Sequence, residues 1–312
     1  MISKKPITTS FVIPSYNGKH LLETFLPSVV ESLGRRKDLE IIVVDDGSSD
    51  GTCLWLREAF PQVTLLALPE NLGFGKACHE GIRAATAETI ILLNNDVSVC
   101  TDIPGCLENV FQEPDLFAVA FDMLSADTYL PYANRILPIW RQGLISFDLN
   151  GARNGAGPSF YGCGGGMAFN KTKYLALGGF HPIFQPFYWE DTDLCYRAWK
   201  RGWRIVFHPE CTVRHYPSST IRTVASERRR TEIIERNRLL FLWKNLSDLG
   251  MLMEHVLWLF CHLLSAMRRK DAVLLRATLG ALKCLPQVMR ARAREKRVIV
   301  KGDREIFAIF AN

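Results

Sequence analysis

Three acidic groups in this chain stand where a carboxylate could do chemistry. Asp96 closes Asn94-Asn95-Asp96, directly after the apolar run Ile90 to Leu93. A carboxylate flanked by small amides at a strand end suits a divalent cation and the diphosphate that such a cation neutralises. The same residues also suit a plain Asx-rich turn. Asp45 and Asp46 end a second apolar run and precede Gly47-Ser48-Ser49-Asp50-Gly51-Thr52. There a carboxylate can accept from a base N–H or a ribose hydroxyl, or cap a helix. Glu190 and Asp191 open a helical pattern from Thr192 to Arg201, with Asp193 and Arg197 four apart and Gly202 as the stop. The dipole at a helix start favours the ionised carboxylate. Beside Trp189, a ring suited to carry a sugar, such a group could take a proton from a hydroxyl. A capping cluster on a surface helix is the plainer alternative.

The elements that must position these groups follow a regular rhythm. Strands are expected at Thr9–Ile13, Glu40–Val44, Val63–Leu68 and 89–93. Between them, apolar residues recur at helical spacing over 21–33, 54–60 and 76–85, with Gly34 and Pro61 as stops. Alternation of strand and helix predicts a doubly wound, mostly parallel sheet, whose ligands bind beyond the carboxyl ends of the strands. Each of these strand ends carries polar residues: Pro14-Ser15-Tyr16-Asn17-Gly18, the 45–52 turn, Asn71-Leu72-Gly73-Phe74-Gly75-Lys76, and 94–96. Gly73 and Gly75 open a helix whose free N–H groups could receive phosphate oxygens. They lack a third glycine and follow the third strand, so a dehydrogenase fingerprint is excluded. Four of the five residues 162–166 are glycine, which implies that a ligand comes close to that backbone.

Phe11 to Gly18, Val43 to Thr52, Asn71 to Gly75 and Leu92 to Asp96, in that order and spacing, resemble glycosyltransferase family 2. Its members are inverting enzymes of GT-A fold that use nucleotide-sugar donors. The resemblance implies a Rossmann-like, mostly parallel central sheet flanked by helices over 1–220; the helical extension, 221–312, is read from pattern alone. It assigns donor contacts to Pro14, Ser15, Tyr16, Asn17, Asp45, Asp46, Asn71, Gly73, Lys76, Asn94, Asn95, Asp96, Gly164 and Gly165, with Asp46 at the base. By the family's E-D motif, Asp191 is the catalytic base, and Glu190 with Trp189 binds the acceptor. A histidine about two dozen residues past the base completes the family's metal site; His215 fits, with His208 as runner-up. Asp96 and His215 would thus hold Mg²⁺ or Mn²⁺. The family's D-x-D has a carboxylate where this chain has Asn94, whose amide brings no charge. The processive motif Q-x-x-R-W is absent, which implies one or a few sugars per encounter. N-N-D-V and W-E-D-T-D-L are similar to bacterial rhamnosyl- and related transferases of cell-surface polysaccharides. The donor would then be a UDP- or dTDP-sugar and the acceptor a glycan or lipid-linked glycan. A sugar nucleotidylyltransferase would need a glycine-rich basic loop where Pro14 to Gly18 stands; a non-catalytic, membrane-associated binding protein is the other rival.

Composition supports a folded globular protein, since 48% hydrophobic and 22% charged residues exclude a disordered chain. Residues 222–312 hold 19 Lys and Arg against 9 Asp and Glu, leaving 19 against 23 for 1–221. Opposite charge in the two parts suggests two jobs. Helices are expected from about Val224 to Leu246, from Met251 to Met267, and from Ala272 to Arg294 with Pro286 inside. Apolar faces with basic flanks read as helices on an anionic membrane surface, through about 251–300. A helical cap or homo-oligomer contact is the alternative. Nucleic acid is disfavoured because no nucleic-acid module accompanies the charge. The longest apolar stretch, near 256–264, is expected to be too short to span a bilayer. Nine scattered cysteines without C-x-x-C and the lack of a signal peptide at Met1 point to the cytoplasm, at the inner face of the cell membrane. Tyr129, Tyr132, Trp140 and Tyr161 are candidates for an acceptor groove or for covering the core.

Overall fold

A computed structural model of the chain describes residues 8–34, 36–108, 110–127, 131–151, 155–216 and 226–311. Tyr129 and the expected helix start at Val224 lie outside them. Twelve strands are described: β1 Thr9–Ser15, β2 Leu39–Asp45, β3 Thr64–Ala67, β4 Thr89–Leu93, β5 Val97–Val99, β6 Leu116–Ser125, β7 Pro131–Ala133, β8 Arg135–Arg141, β9 Leu144–Gly151, β10 Gly157–Pro158, β11 Gly166–Asn170 and β12 Arg204–His215. The main sheet runs β10-β12-β6-β11-β4-β1-β2-β3, with β5 on β12 and β7 on β6. Pairings β4–β1, β1–β2, β2–β3 and β6–β12 are parallel. The glycine-led β11 lies antiparallel between β4 and β6.

Two cores follow from the two-residue period of the strands. Val12, Ile42, Val44, Ile90 and Leu92 face one core, and Phe11, Ile13, Ile41, Val43, Ile91 and Leu93 face the other. Burial on both faces explains why these strands read as continuous apolar runs. Helices α1 Lys19–Leu33, α2 Thr52–Ala59, α3 Phe74–Ala84, α4 Ile103–Leu107, α5 Lys171–Ala176 and α6 Glu190–Lys200 cover or connect the sheet.

Helices α7 Glu227–Asn245, α8 Leu249–Arg269, α9 Ala272–Lys283, α10 Leu285–Glu295 and α11 Asp303–Ala308 complete the chain. The helix expected over 272–294 is in fact two, α9 and α10. Pro286 has no N–H to donate and disfavours helix at the residue before it, so the chain bends by 63° there. Nor is the apolar stretch as short as 256–264: the 21-residue α8 is long and apolar enough to cross a membrane. Leu239, Leu240, Leu242, Ala281, Val288 and Ile306 join the larger sheet core. The carboxyl-terminal helices are therefore packed into the catalytic fold. All nine cysteines are free thiols.

Candidate active site

Stapled turns build the floor of the crevice at the carboxyl edge of the sheet. Asn17 N–H donates to Ser48 Oγ at 2.8 Å and Ser49 N–H to Asn17 Oδ1 at 2.9 Å, joining the turns after β1 and β2. Asn95 Nδ2 donates to Ser15 Oγ at 3.0 Å, joining the turn after β4 to the first. The Tyr16 ring is exposed at the mouth, with Asn71 and the Lys76 side chain exposed on the far side.

The two adjacent aspartates after β2 have different work. Asp46 accepts from Leu72 N–H at 2.7 Å and Gly73 N–H at 2.9 Å, so both its oxygens hold the loop that opens α3. Asp45 accepts from Ser48 N–H through Oδ2 and lies within reach of the Cys53 thiol; its buried Oδ1 has no nitrogen or oxygen partner. A buried acceptor left unsatisfied is costly unless a ligand completes it.

At the end of β4 the chain passes from Leu93 into Asn94, whose N–H donates to Gly165 O at 3.3 Å. A Cβ on Gly165 would stand 2.7 Å from Asn94 Nδ2 and would displace that amide. Gly162 and Gly166 likewise face Met167, Met123 and Val213. Neighbouring side chains thus lie close to three of the four glycines. Gly164 alone leaves ordinary van der Waals space, with Phe74 and Asp191 as its neighbours.

His215 and Asp96, 119 residues apart in the chain, come together because β5 pairs with the end of β12 and Tyr216 N–H donates to Asp96 O. His215 Nε2 stands 3.5 Å from Asp96 Oδ1, with both side chains largely buried. Burial lowers the imidazole pKa against the pull of Asp96, keeping a neutral nitrogen available as a ligand. His208 stands seven residues earlier on β12, opposite Phe121 of β6. Oxygen from Asp96 and nitrogen from His215 form a donor pair that suits Mn²⁺ and accommodates Mg²⁺. Among the described residues no three His, Cys, Asp or Glu side chains converge on one point. An ion here would need diphosphate oxygens and water to fill its shell.

Asp191 lies at the start of α6 and faces the glycine-rich segment. Its Oδ2 accepts from Gly164 N–H at 3.1 Å and its Oδ1 from Thr192 N–H at 2.7 Å. Burial nonetheless raises its pKa. Glu190 Oε2 is buried without a hydrogen-bond partner, and burial, then the Asp191 charge, push that carboxyl up to about 8. Two adjacent carboxyls with raised pKa values form a coupled acid–base pair. Glu190 also lines a cavity of about 230 Å³ with Phe74, Lys76, His79, Phe180 and His181.

The turn that presents the pair is strained and held from a distance. Tyr188 and Trp189 have φ of +70° and +78°, a region in which a bulky residue costs about 1–3 kcal/mol. Buried Asn237 of α7 compensates by donating Nδ2 to the carbonyls of Phe184, Phe187 and Tyr188. Trp189 itself packs between Phe147 and Phe241 and is buried. The exposed ring of this turn is Tyr188, not Trp189. Tyr161 is buried against Phe147, Trp140 packs on Phe307, and Tyr132 lies 4.7 Å from the His215 ring.

Beyond Asp191, α6 is anchored by buried ion pairs. Asp193 takes Arg197 Nε at 2.8 Å, Lys244 Nζ at 2.7 Å and Asn245 Nδ2 at 2.8 Å. Burial alone would raise Asp193, but Lys244 and Arg197 outweigh it and hold the carboxyl well below its ordinary range. Lower on the helix, Asp303 of α11 accepts from the Tyr196 hydroxyl and pairs with Lys200 at 2.5 Å.

This sheet and crevice are those of the GT-A fold. Among solved structures, GalNAc-T7 with UDP, GalNAc and Mn²⁺ matches 78% of this chain and 48% of its own, with TM-score 0.61 and 18% identity. The mannosyltransferase PcManGT from Pyrobaculum calidifontis, with GDP-Man and Mn²⁺, matches 98% and 85%, with TM-score 0.56 and 16% identity. TarS from S. aureus with UDP matches 93% and 88%, with TM-score 0.57 and 14% identity. Residues 10–177 match glycosyl transferase family 2, and the chain belongs to that family. Poly-beta-1,6-N-acetyl-D-glucosamine synthase from Staphylococcus aureus is 28% identical over 64% of this chain and 48% of its own. A dolichyl-phosphate beta-glucosyltransferase from Trichomonas vaginalis is 30% identical over 35% of this chain and 36% of its own. The chain thus spans about half, or less, of the curated relatives it matches.

Proposed function

We propose that the protein is an inverting, divalent-cation-dependent glycosyltransferase. It moves a hexosyl or deoxyhexosyl group from a UDP- or dTDP-sugar to a hydroxyl of a glycan or lipid-linked glycan, in cell-surface polysaccharide biosynthesis. One observation carries the reading: His215 meets Asp96 on the same sheet edge where Asp191, its pKa raised by burial, faces Gly164. Solved neighbours bound to UDP or GDP-Man, two of them with Mn²⁺, support the donor class and the ion.

In this reading the buried Asp45 Oδ1 takes the base N–H or a ribose hydroxyl, and Asp46 holds Leu72 and Gly73 so that the free N–H groups opening α3, with Lys76, face the donor. Pro14, Ser15, Tyr16, Asn17 and Asn71 line the nucleotide; Asn94, Asn95, Gly164 and Gly165 line the ribose and sugar. Asp96 and His215 hold Mg²⁺ or Mn²⁺, which supplies charge stabilisation to the departing diphosphate. Asp191 takes the acceptor's hydroxyl proton while that oxygen bonds the anomeric carbon and the bond to diphosphate breaks, inverting the configuration. Glu190 and the turn at Tyr188 and Trp189 orient the acceptor. Such a base contributes about 10²–10⁴-fold to rate. The proposal includes peripheral contact through 251–300 at the cytoplasmic face of the cell membrane and no nucleic-acid partner. Pairing with a second copy is the competing use of that surface.

Incubation with a panel of nucleotide sugars, lipid-linked acceptor and Mn²⁺ tests the reaction. Release of nucleoside diphosphate, abolished by EDTA and restored by Mn²⁺ or Mg²⁺, is expected. Pyrophosphate release, or no release with any donor, would overturn it.

A further inference from the structure

Helix α8 has two faces of opposite character. Leu249, Met253, Val256, Leu257, Phe260 and Met267 are between 60% and 71% exposed, and Leu264 is 38% exposed. At 100° per residue these seven fall within an arc of about 100°. No charged side chain interrupts that arc. The α8 side chains that touch the protein lie on the other side. Glu254 accepts from Trp140 Nε1 at 2.9 Å and Gly143 N–H at 3.3 Å. His255 is 2.7 Å from Gly143 O and accepts from Trp243 Nε1, and His262 reaches Gln142 O. Gly143, with φ of +66°, sits so close that a Cβ would stand 2.7 Å from the His255 Cα. The tip of the β8–β9 hairpin is therefore fitted to the backbone of α8.

Leu279, Leu282, Leu285 and Met289 of α9 and α10, the helices that follow α8, are exposed as well. Around the arc the charge is of one sign: residues 249–300 hold ten Lys and Arg against three Asp and Glu. Of those three acids, Glu254 is tied to the hairpin and Glu295 pairs with Arg201. Arg268, Arg269, Lys270, Lys283, Arg290 and Arg297 are exposed.

We infer that α8, with the adjoining edge of α9 and α10, is an in-plane anchor for the surface of an anionic phospholipid bilayer, and that it does not cross the bilayer. An apolar arc without charge, bordered by arginine and lysine, matches the acyl boundary and headgroups of such a surface. A helix of 21 residues is about 31 Å long, enough to span. Spanning, however, would strip Glu254, His255 and His262 from the hairpin and bury their polar groups in hydrocarbon, where each unsatisfied group is costly. Lying flat keeps every one of those bonds. The hairpin then links the anchor to the acceptor side of the crevice, because Phe147 of β9 packs on Trp189 beside the base.

The inference builds on the lipid-linked acceptor, but vesicle binding is read without donor or acceptor, so loss of binding and loss of transfer are separate results. The full chain is floated with phosphatidylcholine vesicles, with and without 30% phosphatidylglycerol, at low and high salt. Expected are binding to the anionic vesicles only, weakening with salt, release by alkaline carbonate, and at least a tenfold loss in a Leu257→Glu/Phe260→Glu variant. Transfer to a water-soluble acceptor should be unchanged in that variant. Resistance to carbonate would show a spanning helix and overturn the flat anchor. Unaltered flotation of the variant, or a wild-type dimer that the two substitutions dissolve, would overturn the bilayer as the occupant.

Discussion

Neighbouring carboxyls can be assigned different tasks by what each one touches. Glu190 and Asp191 are adjacent in sequence, yet Asp191 accepts two backbone N–H bonds and Glu190 Oε2 has no hydrogen-bond partner. Ionising both in one buried place is unfavourable, so the pair titrates together above the ordinary carboxyl range. If Asp191 must be ionised to accept a proton, kcat/KM falls as pH drops through that raised range. Glu190 keeps its proton up to about pH 8, so Glu190→Gln exchanges one neutral group for another and should leave the acid limb in place; a limb that moves in a pH–rate profile would show that Glu190 is ionised beside Asp191. The sign for stability is the reverse. A carboxyl with a raised folded pKa favours the fold when protonated, and that contribution is lost as pH rises through about 8. Glu190→Gln should therefore flatten the decline of Tm between the ordinary carboxyl pKa of 4.5 and about pH 8, and an equal decline in both proteins would refute it. At this scale the sequence was legible where a strand ended abruptly on carboxylates, as at Asp45 and Asp96. It put Asp46 at the base, whereas both Asp46 oxygens hold Leu72 and Gly73 N–H groups that arrive from another turn.

Among the elements, α6 is the one on which the base depends, and its anchorage comes from residues about 50 to 110 positions away. Asp193–Arg197 was readable as an i,i+4 pair; Lys244, Asn245, Asn237 and Asp303 were not, since contacts across such separations leave no local periodicity. Lys244 is wholly buried against Asp193. Lys244→Met should destabilise the protein by about 3 kcal/mol, because removing one partner leaves a buried charge undercompensated. Urea unfolding measures this, and a loss below about 1 kcal/mol would show that Arg197 and Asn245 suffice. The placing of the β8–β9 hairpin was equally hidden. Ile145-Ser146-Phe147-Asp148-Leu149-Asn150 does alternate after the Gln142-Gly143 turn, but no local pattern shows that the hairpin joins Trp189 to α8. The strands of the doubly wound half were plain because burial on both faces makes them continuous apolar runs.

For the molecule as a whole, the charge contrast between 1–221 and 222–312 marks a division of labour without a division of structure. We keep the boundary near 220 as a functional proposal, with catalysis before it and docking after it, while α7, α10 and α11 pack into the core that backs the sheet. The basic helices thus face outward from the same body whose crevice holds the base. An acceptor on a membrane would be met by an enzyme already oriented toward it. The account stands or falls on Asp191 as the group that accepts the proton. The direct measurement is single-turnover transfer by Asp191→Asn with Mn²⁺ and the donor identified in the panel, beside nucleotide affinity by calorimetry. The prediction is a loss of about 10²–10⁴-fold in transfer with nucleotide binding within about twofold of wild type. Transfer at the wild-type rate in that variant would contradict it.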